Sequence, residues 1–484
     1  MRPVVPVLAA FALAASPGSP AGQPAAAADP VAEVAAPTAA RTQLAVTLYT
    51  DGIALVRDRR SVTLPAGLSE VAIEAVAPRL VPASVIVASA DARVTGVRYD
   101  FQLLTNTALL ARSLGQEVMV IRPGRDGGEE KAERATLLAV DGGIVLRFAD
   151  RIETQPAGRI AFTEVPRGLR AKPTLLAGID AGGGGRRDID VSYMAPGIDW
   201  SADYVVTLDP ARDRLALAGR AIVSNRAGVD LPGAAVALVA GDLNRVTPLP
   251  PPAGKGRGMQ ATEMMAMPAA SPDALPAREA LGDAWLYTLP QPVSLADQET
   301  RQLPLLDAAD VAVSVEYVSR RDVMPFAAVE GVQRSHPDLR LTFVNPAAGS
   351  PGVPLPGGIA RVFMADQGGT PRLIGEDRLA PTPVGEKATL VPGTAFDVTV
   401  SRRQTAFSRI DMAQNVHEAA YAITVRNAKA KPAVVRVVED IPGDWQILQE
   451  SAAHEKTGAN RAEWPLTVPA GGSVELAYRV RVRQ

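Results

Sequence analysis

The sequence predicts a mainly β protein made of several antiparallel sandwich or barrel modules, with an immunoglobulin-like module at the C terminus. Three observations predict it. Apolar and polar residues alternate in short runs along most of the chain, the period-2 signature of strands with one buried face. Gly and Pro number 41 each in 484 residues, too much punctuation for long helices. No segment carries an apolar stripe at helical spacing over a convincing length. One compact core does not serve a chain this long, so domains of roughly 150 residues each are expected.

The elements follow in order. Arg2 gives a short basic start, residues 4–15 are apolar, and small residues offer cleavage points after Ala15 or after the alanine run 25–28. Residues 1–28 therefore read as a secretory signal peptide; the alternative, an uncleaved anchor, is short of the roughly 20 residues a spanning helix needs. Residues 29–42 are rich in Ala and Pro and read as a disordered leader. An N-terminal β domain is expected over 43–187. It opens with Leu44, Val46 and Leu48 alternating, turns at Asp51-Gly52, and runs from Ile53 to Val56. The charged Arg57-Asp58-Arg59-Arg60 leads on to Val62-Thr63-Leu64, and Pro65-Ala66-Gly67 turns the chain toward Val71 and Ile73. Near 115–165, short strand candidates around Val118, Thr136, Ile144 and Arg159 suit a small inserted barrel-like unit of about five strands. Gly182, Gly183, Gly184 and Gly185 read as a flexible hinge, lacking the spacing and context of a dinucleotide loop.

A central β domain is expected over 188–405, with strands near 204–208, 221–224, 235–239 and 285–287, and a clean alternation of Val311, Val313, Val315 and Tyr317. Residues 247–280, with Pro248, Pro250, Pro251 and Pro252, read as a disordered loop interrupting it. Residues 406–484 read as an immunoglobulin-like sandwich without the Cys pair of antibody domains. Its last strand turns Val474, Leu476, Tyr478, Val480 and Val482 to one side and Arg479, Arg481 and Arg483 to the other. Those arginines are read as protecting an edge strand from unwanted pairing, with contact to an acidic partner or anionic lipid as the alternative.

Composition excludes several classes. Lys plus Arg total 50 against 52 Asp plus Glu, a net charge of −2, without the basic field that nucleic-acid binding needs. Cysteine is absent, which removes disulfides, thiolate catalysis, Cys-ligated zinc and a lipoprotein anchor. After the signal no stretch is apolar for 18 residues, so no transmembrane span is expected in the mature chain. The signal directs it to the periplasm or cell envelope.

Candidate chemistry is thin. Of three histidines, His417-Glu418 and His454-Glu455 each open an HExxH-like run, but Tyr421 and Gly458 stand where the second His belongs, and His336 has no such context. Asp188, Asp190, Asp199 and Asp203 crowd around Trp200 and could serve as acid and base on a glycan or peptide, or hold calcium. Against this, Asp188, Asp190 and Ser192 share one strand face while Ile189, Val191 and Tyr193 share the other, the pattern of a solvated face. No GxSxG elbow is present. Met259, Met264, Met265 and Met267 lie in the Pro-rich break, where thioethers could bind Cu(I), although no His or Cys completes a site. No catalytic, cofactor or metal residue is assigned.

At Leu48-Tyr49-Thr50-Asp51-Gly52-Ile53-Ala54-Leu55-Val56-Arg57 the chain resembles an uncharacterised bacterial family of exported β-rich domains shared with the C-terminal region of mucoidy-inhibitor-A-like proteins. Ser192-Tyr193, Trp200-Ser201-Ala202-Asp203-Tyr204 and Ala240-Gly241-Asp242-Leu243-Asn244-Arg245 extend the resemblance, as do Val353-Pro354-Leu355-Pro356-Gly357-Gly358 and Ile374-Gly375-Glu376-Asp377. Ala395-Phe396-Asp397-Val398, Val437-Val438-Glu439-Asp440-Ile441-Pro442 and Asp444-Trp445 continue it to the C terminus. The resemblance implies an envelope location and β modules and supplies no catalytic residues. Some relatives carry a long helical hairpin that has no counterpart in this sequence. The expected function is that of a non-enzymatic envelope protein, a multi-domain scaffold binding another envelope protein or glycan. The alternatives are a periplasmic hydrolase using Asp199 and Asp203, and a Met-loop copper binder.

Overall fold

The computed structural model describes residues 31–483 apart from 101, 124–128, 167, 210–212, 242–276, 283 and 346–351. The described chain is mainly β, arranged as several sheets packed in sandwich-like layers without a closed barrel.

The first core is shared by three sheets. An eight-stranded sheet joins strands Arg41–Tyr49, Ile53–Leu64 and Gly185–Pro196 to Leu231–Ala240 and Ala284–Thr288 from much later in the chain. A four-stranded sheet carries Ala32–Ala36, Leu68–Glu74, Thr174–Asp180 and Arg93–Asp100. The third is the central part of a ten-stranded sheet, with Ile198–Leu208, Arg214–Asn225 and Gly358–Ala365. Each strand contributes alternate residues: Ile198, Trp200, Ala202, Tyr204, Val206 and Leu208 all face inward. The expected inward Ile189, Val191 and Tyr193 are likewise buried.

Several boundaries differ from expectation. The division at 187/188 cuts Gly185–Pro196, which pairs along its whole length with Ile53–Leu64, so the two expected domains share a sheet. The division at 405/406 cuts the strand Val398–Asp411. The second core already includes Tyr317, Val323, Ala395, Val398 and Val400. Residues read as a disordered leader contain Ala32–Ala36, which pairs in parallel with Leu68–Glu74. Alanine serves there because Ala36 is wholly buried and small side chains let the edge pack closely. The end of the expected 247–280 loop is also strand: Ala277–Leu281 pairs with Ala284–Thr288. Its Pro and Met residues from 248 to 267 lie outside the described residues.

The inserted unit is an open five-stranded sheet. Its outer strands, Ile152–Thr154 and Arg159–Ala161, do not pair, so the barrel-like expectation is not met. Val118, Val120, Ala135, Leu137, Leu146 and Phe148 form a separate small core. Leu110 packs on that core from Asn106–Arg112, a helix the sequence reading missed; Thr105 caps it by accepting from the Ala108 amide. The four glycines are a turn rather than a loose hinge: Gly182 O accepts from Gly67 N, and Gly67 O from Ala181 N, joining two turns side by side.

At the C terminus, the sheet containing Val398–Asp411, Val416–Asn427, Ser473–Arg483 and Asp444–Glu450 faces the end of the ten-stranded sheet, giving a sandwich-like pair of layers. Ser473–Arg483 is not an edge: it pairs with Val416–Asn427 on one side and Asp444–Glu450 on the other. Edge protection therefore does not explain its arginines. Glu418 sits 2.6 Å from Arg481 and 3.7 Å from Arg479. One strand of 24 residues, Glu299–Asp322, serves both large cores, placing Leu305, Leu306, Ala308, Val311 and Val313 in the first and Tyr317 in the second.

Three buried asparagines form the same corner three times. The Asn225 amide nitrogen faces the carbonyls of Val229, Leu295 and Ala296 at 2.9–3.1 Å. Asn345 does the same with Val353, Thr382 and Pro383, and Asn427 with Lys431, Val468 and Pro469. In each case the last-named carbonyl also accepts from the amide three residues on, closing a β-turn. One side chain thus ties a strand end, the loop after it and a neighbouring hairpin.

Candidate functional site

The residues singled out by sequence do not converge. Asp188 and Asp190 lie on the outer face of the eight-stranded sheet, where Asp190 is held by Arg59 at 2.7 Å. Asp199 and Asp203 lie on the outer face of Ile198–Leu208, opposite the buried Trp200 and Tyr204. Arg361 holds Asp203 at 2.8 Å and also reaches Glu376 at 3.3 Å. The histidines are dispersed. His336 pairs through Nδ1 with the Ala395 carbonyl at 2.8 Å, and His454 pairs with Glu450 at 2.9 Å. His417 is buried between Phe326 and Phe407 with Nδ1 unpartnered. Among the described residues no three His, Asp or Glu are grouped as metal ligands.

The surface feature the sequence did not single out is a cleft of about 660 Å³ between the eight- and ten-stranded sheets. Four of the segments quoted for the family resemblance meet at it. Thr50 comes from the first hairpin, Ala240 and Gly241 from the end of Leu231–Ala240, and Pro354, Leu355, Pro356 and Gly357 from the loop before Gly358–Ala365. Tyr204, from the fourth segment, fixes the floor: its hydroxyl donates to the Pro356 carbonyl at 2.6 Å. Tyr287 does the same to the Pro354 carbonyl at 2.9 Å. Burial, with Tyr287 adding to it, pushes the Tyr204 phenol well above its ordinary value, so it stays a donor. The opposite wall is Arg378, Pro381 and Pro383. Leu355 and Thr382 lock the walls together by exchanging backbone hydrogen bonds at 2.8 and 2.9 Å.

Trp285 stands in this cleft. It lies on the same strand face as the buried Tyr287 but one position pair nearer the strand end, past the edge of the core, and is 38% exposed. The other three tryptophans are buried and donate their indole N–H internally: Trp200 to Val239, Trp445 to Ala459, and Trp464 to Glu450 and Ala452. Trp285 alone has no acceptor among the described residues. Arg378 is exposed and has no carboxylate within salt-bridge distance among them. The cleft is therefore rigid-walled and apolar, with an unspent indole donor and an unspent cation.

The family model described as domain of unknown function DUF4139 matches residues 189–484, more than half of the chain. The chain belongs to the DUF4139 family. A second model, described as the N-terminal domain of unknown function DUF4140, matches residues 46–118. No curated protein matches the chain. The cleft of this DUF4139 protein draws Thr50 from the DUF4140 match and its other residues from the DUF4139 match. The two matched regions also share the eight-stranded sheet, through pairing of Ile53–Leu64 with Gly185–Pro196 and of Arg41–Tyr49 with Leu231–Ala240. They fold as one body, and the inserted five-stranded unit begins where the first match ends.

Proposed function

We propose that the protein is exported to the cell envelope and acts there without chemistry of its own, as a β scaffold that binds another envelope component through the cleft at Trp285. The reading also places it among relatives of the mucoidy-inhibitor-A-like proteins. The observation that carries it is Trp285: a large aromatic ring left half out of the core, with its N–H unspent, on walls braced by two buried tyrosines. Exposed aromatic anchors in preformed pockets are where binding energy concentrates. The signal-like start of the chain supports export. A hydrolase built on Asp199 and Asp203 finds less support, because both lie on an open sheet face and Arg361 occupies Asp203.

In-cell photo-crosslinking tests the proposal. A photoreactive residue at Thr50, beside the cleft, should capture one reproducible envelope component. The same residue at Val434, exposed on the C-terminal sandwich, should not, and the capture should disappear with Trp285→Ala. Capture equal from both positions, or none above background, overturns it. Mass spectrometry of the mature N terminus tests export: a start within about residues 16–29 is expected, and an intact Met1 in the envelope fraction contradicts it.

A further inference from the structure

The cleft's free side-chain groups are mainly donors, and this narrows what it can hold. Five carbonyls along its walls are already engaged. Pro354 O and Pro356 O accept from the two tyrosines, Leu355 O from Thr382 N, Thr382 O from Leu355 N and the Asn345 amide, and Ala380 O from Thr382 Oγ1. Its prolines have no N–H to offer and present ring carbons. Two side-chain donors stand unspent among them, the Trp285 indole N–H and the Arg378 guanidinium, with the exposed Thr50 hydroxyl, both donor and acceptor, beside them.

A ligand that suits such a surface is rich in acceptors, poor in N–H donors and apolar along its flank. An ordinary extended peptide would bring N–H groups that lose water and find few acceptors, at a cost. A sugar would bring several hydroxyl donors with the same difficulty. A polyproline-type segment brings carbonyls that radiate outward, no N–H at its prolines, and ring faces that pack on Trp and Pro side chains. We infer that the cleft takes a proline-rich, left-handed extended segment of an envelope protein, with the Trp285 indole donating to one of its carbonyls and Arg378 pairing with an acidic residue beside the prolines. This deepens the binding function proposed above and rests on it.

The test uses the full mature chain labelled with ¹⁵N. Its four indole N–H signals report the four tryptophans separately, with Trp285 assigned from the Trp285→Phe spectrum. The probes are an acetylated, amidated proline-rich decapeptide carrying one Glu, the same peptide with Ala for Pro, the same with Lys for Glu, and a chitin tetrasaccharide. The proline peptide is expected to move the Trp285 signal and leave the three buried indoles in place. Its affinity should fall by about tenfold or more with the Ala peptide or with Trp285→Ala, the loss typical of an anchor residue. Trp285→Phe keeps a ring but removes the donor, so it should fall between. Arg378→Glu should weaken the Glu peptide and favour the Lys peptide. Unchanged melting temperatures in these surface variants separate lost binding from lost folding.

Equal binding of the Ala peptide overturns the inference, as does a Trp285 shift produced by the tetrasaccharide and by no peptide. Peptide binding that appears only after deletion of residues 246–274 also overturns it, because the chain's own Pro248–Pro252 run would then be the occupant. If no peptide binds while crosslinks from Thr50 persist in cells, the ligand class is wrong and the binding function stands. If both fail, both are wrong.

Discussion

Removing the charge of Asp58 should be among the most damaging single changes available in this chain. Asp58 is 2% exposed and accepts from two guanidinium groups, Arg41 at 2.8 and 3.0 Å and Arg60 at 2.7 and 3.2 Å. Arg60 is wholly buried and also donates to the Ala36 carbonyl at the end of the first strand. Asp58→Asn leaves two cations facing each other in the interior with no counter-charge. Breaking a buried ion pair from one side costs about 3–5 kcal/mol, most of it the penalty of the charge left behind. Denaturant unfolding should show that loss, and hydrogen exchange should localise it to Ala32–Ala36, Ile53–Leu64 and their partners. Replacing all three members, as Asp58→Leu with Arg41→Leu and Arg60→Met, should recover most of it, because well-packed apolar residues are often no worse than a buried ion triad. A loss under about 1 kcal/mol in the single variant, or a triple variant as unstable as the single one, would refute the reasoning.

The same carboxylate gives a pH signature. Burial raises its pKa, but hydrogen bonds from Arg41 and Arg60 and their charges outweigh burial and hold it below the ordinary 3.8. A carboxyl depressed on folding stabilises the folded state fully above the unfolded value. That contribution fades as pH falls below 3.8 toward the folded value. The stability gap between wild type and Asp58→Asn should therefore narrow on acidification below that point.

Other expectations follow from single contacts. Asn427→Ala removes a donor from the carbonyls of Lys431, Val468 and Pro469, of which Pro469 keeps the Gly472 amide, and leaves the Lys429 amide without its acceptor; it should lower the stability of the C-terminal sandwich by about 1–3 kcal/mol in a urea titration. Gly358→Ala places a Cβ on the Ala202 carbonyl oxygen, so the parallel pairing of Gly358–Ala365 with Ile198–Leu208 must shift; a loss of about 1–3 kcal/mol is expected in thermal unfolding. Asp199→Asn with Asp203→Asn should change stability by less than about 1 kcal/mol, since the Arg361 pair is part-exposed and Arg361 retains Glu376. A cellular phenotype abolished by that double change at unaltered melting temperature would instead point to a hydrolase.

Where one face is buried and the other wet, the strands were readable from alternation alone, as at Trp200 and Tyr204 or along Ser473–Arg483. What alternation hides is partnership across the sheet. Arg57-Asp58-Arg59-Arg60 reads as a polar interruption, yet Ile53–Leu64 runs straight through it, because Asp58 and Arg60 neutralise each other inside the core. Whether the last strand is an edge depends on Asp444–Glu450, whose place beside it no local pattern announces. The three asparagine corners carry a weak signal, an Asn at a strand end, but two of the three carbonyls each collects come from hairpins 37 to 71 residues away. Trp285 was visible only as part of a strand, because its exposure reflects where the core stops.

The long strand Glu299–Asp322 also has a mechanical meaning. At about 3.3 Å per residue its 24 residues extend roughly 80 Å. Along that length it pairs first with Arg214–Asn225 and then with Ala433–Asp440. Tension applied between the cleft and the C-terminal sandwich would load those ladders lengthwise, so that many backbone hydrogen bonds share the force and must slide together before any gives way. A chain joined by a loop at that point would instead stretch at the loop. The strand thus gives the two large cores a continuous hydrogen-bonded mechanical link.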